Sequence, residues 1–164
     1  MQIHTLTSIP TNNLSASPRS KPPSKRDAEI IEEVERVRET EQVAYHQRSR
    51  FAMRTYLKQV YRLYCSWKQT GEVNRKARRA ANLQRIPVRR GTHPLKILID
   101  LTTPANHADA KARSRMARAM EFAAAEGIRP RGLGEFFDQS GGIAGAAGQM
   151  VLRHPRRIRR VNDW

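Results

Sequence analysis

The sequence predicts an all-α protein, a small helical domain with a long N-terminal helix or helix pair and disordered basic tails. Three observations carry that expectation. Between Pro23 and Gly71 there is neither a proline nor a glycine, the two residues that most disfavour a helix interior. Apolar residues recur at helical spacing over residues 53–67 and again over 112–123. Only residues 95–101 alternate as a strand would, and no second convincing strand exists to pair with them.

The elements follow in order. Residues 1–26 carry Pro10, Pro18, Pro22 and Pro23 and no acid; they lack the apolar stretch of a signal peptide and resist the amphipathic helix of a transit peptide. They read as a disordered arm. Residues 27–70 form a long helix or helix pair. Ser24 and Asp27 have the spacing of a capping box, and Gly71 stands where a helix end favours glycine. One continuous helix would be roughly 65 Å long at 1.5 Å per residue. The apolar pattern changes near "HQRSRF" (46–51), so a break into two helices is the preferred reading. Before it, Ile30, Val34, Val37 and Ala44 trace a thin heptad-like seam interrupted by Glu41, and such a seam needs a partner. This makes self-association through residues 27–45, as a coiled coil, an expectation. After the break, Met53, Tyr56, Leu57, Val60, Tyr61, Leu63, Tyr64 and Trp67 make a dense stripe that reads as core rather than a base-stacking platform.

Residues 71–92 read as an exposed basic connector. A helix there would have only Val73, Ala77, Ala80 and Ala81 on its apolar side, which bury little area and promise weak docking. The remaining spans are a helical C-terminal half, 93–152, and a basic tail, 153–164. In the former, Thr92 and Pro94 favour a helical start over a strand paired across a dimer. Residues 107–127 give the clearest helix, with Ala112, Met116, Ala119, Met120 and Ala123 on its buried face.

Charge is the strongest functional signal. The chain holds 31 Lys and Arg against 15 Asp and Glu, for a formal +16. Such an excess favours nucleic acid, anionic membrane surfaces or acidic proteins as partners. No stretch approaches the length of a membrane span. The single cysteine, Cys65, excludes an intramolecular disulfide and is consistent with a cytoplasmic protein. Acid is uneven: residues 27–41 are net −5, which leaves +21 for the rest. Between 73 and 91 there are seven basic side chains and no carboxylate.

Catalytic motifs are not found. The glycines of 141–148 fit no phosphate-binding loop. His4, His46, His93, His107 and His154 show no metal-ligand spacing, and Cys65 reads as a packed residue. The expectation is therefore no enzyme, no metal and no cofactor. "LGEFFDQSGGIAGAAGQMV" has the outline of a helix-turn-helix, but its second helix offers Ala144, Gly145, Ala146, Ala147 and Gly148 where base-reading side chains belong. As a string, "HPLKILID … KARSRMARAMEFAAAEGI … EFFDQSGGIAGAA" resembles uncharacterised proteobacterial proteins of plasmids and other mobile elements. That resemblance covers about residues 93–148, and it implies a setting without an activity or site residues.

The expected function is non-enzymatic binding of nucleic acid, DNA in the first instance, by an accessory or regulatory protein. Arg75, Lys76, Arg78, Arg79, Arg85, Arg89 and Arg90 would contact phosphates. Lys111, Arg115 and Arg118, with Arg153, Arg156, Arg157, Arg159 and Arg160 of the tail, would assist. These contacts position without reading sequence. The alternative is a helical protein-interaction adaptor for an acidic partner. A last expectation concerns the acid: the −5 helix should lie on the basic connector and compete with phosphate for its arginines.

Overall fold

The computed structural model describes residues 24–153, and among these the chain forms seven α-helices and no strand. They are α1 (Lys25–Gln47), α2 (Arg50–Gln69), α3 (Val73–Leu83), α4 (Pro94–Thr102), α5 (Ala110–Ala125), α6 (Leu133–Gln139) and α7 (Gly142–Arg153). A single 3-10 turn, Pro130–Gly132, precedes α6. The N-terminal arm before Ser24 and the tail after Arg153 lie outside the described residues.

The long N-terminal stretch is a helix pair, and the break falls inside the segment where the apolar pattern changes. Arg48 closes α1 in the left-handed region at φ 48°, donating its N–H to Ala44 O. Ser49 then caps α2, its hydroxyl accepting from Ala52 N at 3.0 Å. At the other end the Ser24–Asp27 capping box is present in both directions. The end of α2 lies beside the start of α1, because Trp67 Nε1 donates to Glu33 at 2.7 Å. The two helices are therefore antiparallel.

The seam of α1 corrects an expectation. Ile30, Val34, Val37 and Ala44 are buried, and so is Glu41. The cover is the protein's own α2, α3 and α4. The interrupted seam has a partner within the chain, so the argument for self-association through residues 27–45 and for a coiled coil no longer holds. Of α1's large apolar side chains, Val43 is the one left substantially exposed.

The stripe of α2 is core. Tyr56, Leu57, Val60, Tyr61, Tyr64 and Trp67 are all buried. Buried hydroxyls need partners, and they find them: Tyr56 Oη lies 2.7 Å from both the Thr102 and the Thr103 hydroxyl, and Tyr61 donates to Ile128 O at 2.8 Å. Burial raises both phenols above their ordinary range, so neither ionises at neutral pH.

Residues 95–101 are helical. The cap of α4 is His93 rather than Thr92: its Nδ1 accepts from Leu95 N at 3.2 Å, and Pro94 occupies the first turn. The apparent strand alternation has a simple cause, since α4 is surrounded. Pro94, Leu95, Ile97, Leu98, Ile99, Leu101 and Thr102 are buried, against α1, α2 and α3 on one side and α5 on the other. Only Lys96 and Asp100, one turn apart and bonded to each other, interrupt the apolar surface, so apolar residues alternate in the sequence without a strand.

The second half builds on α5. Its buried face is Met116, Ala117, Ala119, Met120, Glu121, Phe122 and Ala123, with Ala112 half-buried. Helix α7 packs along it, so the outline of a helix-turn-helix is an α6–α7 corner whose second helix is docked. The side chains that α7 leaves exposed include Ala144, Val151 and Leu152, which read no bases. One glycine of that corner is required. A Cβ at Gly145 would stand 1.9 Å from the Ser140 carbonyl oxygen, which belongs to backbone. Gly145→Ala should destabilise the protein by about 1–3 kcal/mol, as overpacking does; a denaturant midpoint equal to that of the parent chain would contradict this.

Candidate nucleic-acid interface

Helix α3 docks firmly, which corrects the expectation of a loosely held, exposed connector over 71–92. Ala77, Ala80 and Ala81 are completely buried against α4 and α1. The small side chains bury little area individually, but they let backbones approach closely, and the basic side chains line the opposite side. The helix ends with a reciprocal pair of bonds, Ile86 N to Ala81 O at 2.9 Å and Arg85 N to Asn82 O at 3.1 Å. That motif normally places glycine where Arg85 stands, and Arg85 accepts φ 56° there. A second turn follows, closed by Thr92 N to Arg89 O at 3.2 Å with Gly91 at φ 80°. It leaves Arg89 and Arg90 exposed.

The structure divides the expected phosphate contacts into two groups. Four are held by acids. Arg79 makes two 2.7 Å bonds to the Asp27 carboxylate. Lys76 lies 3.8 Å from Glu33 and 3.9 Å from Glu72, with its ammonium over the Trp67 ring. Arg75 pairs with Glu72. Arg153 pairs with Glu126 at 3.3 Å and covers the Phe122 ring, pinning α7 to α5. By contrast Arg78, Arg85, Arg89, Arg90, Lys111, Arg115 and Arg118 have no carboxylate within ion-pair distance among the described residues. Arg156, Arg157, Arg159 and Arg160 lie outside those residues.

The unpaired group is partly assembled. A groove of about 990 Å³ runs between the 87–93 loop and α5, with Arg89 and Arg90 on one side and Arg118 on the other. Lys96 also lines it, bonded to Asp100, which Arg113 approaches at 3.2 Å. Glu121 and His93, 3.7 Å apart, contribute the groove's other titratable pair. Lys111 and Arg115 continue the Arg118 row along α5 and are exposed. The groove thus offers cations at its margins and compensated pairs within. That arrangement suits a polyanion crossing its mouth better than a small anion held inside.

Acid from α1 does lie on α3, through two of its residues. Asp27 and Glu33 reach across, whereas Glu32 and Glu35 bond Arg36 and Arg38 of their own helix. The Arg79 guanidinium bonded to Asp27 holds that carboxyl well below the usual carboxylate range. The unfolded chain, with Asp near 3.9, therefore takes up the proton first as pH falls. The stabilisation is complete above about pH 5 and is lost progressively below it. Asp27→Asn should lower the denaturant midpoint at pH 7 and flatten its fall between pH 5 and 2; an unchanged acid profile would count against the pair.

Other candidates contribute nothing to a site. Cys65 is half-buried, and burial pushes its thiol up, away from nucleophilic use. Among the described residues no group of three or more His, Cys, Asp or Glu could hold a metal ion, and no helix is long and apolar enough to cross a membrane.

No known family matches this chain, and neither the curated proteins nor the solved structures contain a significant match to it.

Proposed function

We propose that the protein binds duplex DNA through its phosphates, without reading sequence, as a non-enzymatic accessory or regulatory factor. One observation carries this reading: three of the basic side chains that no carboxylate among the described residues pairs meet across one groove, Arg89 and Arg90 from the loop and Arg118 from α5. Arginine suits such contacts because its planar fork bonds phosphate oxygens in pairs. No base-reading helix accompanies them among the described residues, so the contacts position rather than specify. The adaptor reading loses one support, since the seam that would have formed a coiled coil is covered within the chain.

The test is a salt series on two duplexes of unrelated sequence. With about six phosphates engaged, log K falls against log salt with a slope of about −5, and alike for both duplexes. A slope near zero, or no binding at low salt, overturns the proposal. Capture of one acidic protein without DNA binding would favour the adaptor.

The α1–α3 contact adds a second expected result. Asp27→Asn with Glu33→Gln frees Arg79, removes one of the two carboxylates beside Lys76, and should tighten DNA binding roughly tenfold, since individual exposed pairs are worth under about 1 kcal/mol each. Glu32→Gln with Glu39→Gln changes the charge equally without touching α3. Equal gains from both variants would reduce the effect to net charge.

A further inference from the structure

A second cleft, of about 660 Å³, opens between the α1–α2 turn and the start of α7 and shares no residue with the groove. Arg48, Arg50 and Arg54 line it together with the Tyr45–His107 pair, and no carboxylate of the described residues does. Arg54 is oriented by a two-pronged bond to Asp138. Arg48 and Arg50 have no carboxylate within ion-pair distance among the described residues. The His107 ring stacks on Tyr45 at 3.6 Å and is fixed from behind by buried Glu41, whose oxygens lie 3.0 and 3.2 Å from Nδ1.

Several local preferences are overridden here in the same sense. Arg48 takes φ 48°, a conformation that costs a residue with a side chain roughly 1–2 kcal/mol. Arg50 puts positive charge in the first turn of α2, which holds no acid and whose dipole favours the opposite sign. The opening residues of α7, Gly142, Ile143 and Ala144, line the same cleft. The two arginines and the start of α7 place positive potential around one cleft that is open to solvent. Such agreement against local rules is what functional sites show.

We propose that this cleft binds a phosphate monoester. The guanidinium groups of Arg48 and Arg50 and the positive end of α7 would hold the phosphate. The cleft exceeds the size of an inorganic phosphate, and Met53 and Ile143 give a small organic group an apolar wall. Two sources share this chemistry: a free phosphorylated metabolite and the terminal phosphate of a nucleic-acid strand.

The experiment titrates phenyl phosphate into the intact protein at constant ionic strength, followed by calorimetry. One variant combines Arg48→Asn, since asparagine tolerates the left-handed region, with Arg50→Gln. A second, Ala144→Glu, leaves every arginine in place and sets a carboxylate at the exposed start of α7. The parent chain should show one saturable site. Both variants should lose at least about tenfold in affinity, as removal or opposition of a charge-assisted contact entails. Arg89→Gln with Arg90→Gln, in the groove, should leave phenyl phosphate binding unchanged even if it abolishes DNA binding. No saturable site, or an equal loss in the groove variant, overturns the proposal. Oligonucleotides with a 5′-phosphate or a 5′-hydroxyl then separate the sources. Tighter binding of the phosphorylated strand, absent in Ala144→Glu, assigns the strand end; no difference between them, with phenyl phosphate still bound, assigns the free ester.

Discussion

Changing Arg89, Arg90 and Arg118 together to Gln should weaken binding to duplex DNA by about two orders of magnitude at moderate salt, taking roughly 1 kcal/mol for each exposed charge-assisted contact. The same change should make the salt slope shallower by about 3, since each lost phosphate contact removes about 0.9. The loss should be uniform across duplex sequences, because none of the three reads a base edge. All three line one groove, and none supports the core, so thermal stability should be nearly unchanged. A triple change at Arg36, Arg62 and Arg131, placed elsewhere on the protein, removes the same charge. Equal weakening by the two triples would mean that total charge, and not the groove, attracts the polyanion.

The largest expected effect on stability lies in α4. Leu98 is completely buried on the helix that contacts both the α1–α3 layer and α5. Leu98→Ala should cost about 2–5 kcal/mol, the lost transfer free energy plus the cavity left behind. That is a large share of the 5–15 kcal/mol typical of a domain. Chemical denaturation should show one cooperative transition moved to lower denaturant. A change under about 1 kcal/mol would mean that α4 is not the element joining the two halves.

The helical class and some of the helix ends were legible in residue types alone. Ser24 with Asp27, Gly71 and Gly127 are local signals, and local signals survive folding. The Tyr/Trp stripe of α2 could be assigned to the core because it combines helical period with large apolar area. What could not be read was pairing across the chain. The seam of α1 looked unpartnered because its cover comes from α2, α3 and α4. Helix α3 looked weakly docked because area, rather than closeness of approach, was counted for its alanines.

The candidate interface was legible as a list and not as a geometry. Charge counting could not distinguish Arg79, bonded to Asp27 across 52 positions, from Arg90, which no carboxylate among the described residues meets. Nor does adjacency in sequence bring Arg118 to the groove that Arg89 and Arg90 line. The α1–α2 turn was noticed only as a break. Its Arg48 and Arg50 gain meaning when α7, some ninety residues later, closes the other side of their cleft.

The most direct measurement is arginine modification by a dicarbonyl reagent, read by peptide mass spectrometry with and without bound duplex DNA. The groove account predicts strong protection at Arg89, Arg90, Arg115 and Arg118 and little change at Arg62 and Arg131. Even protection over all exposed arginines, or none at Arg89, Arg90 and Arg118, would contradict it.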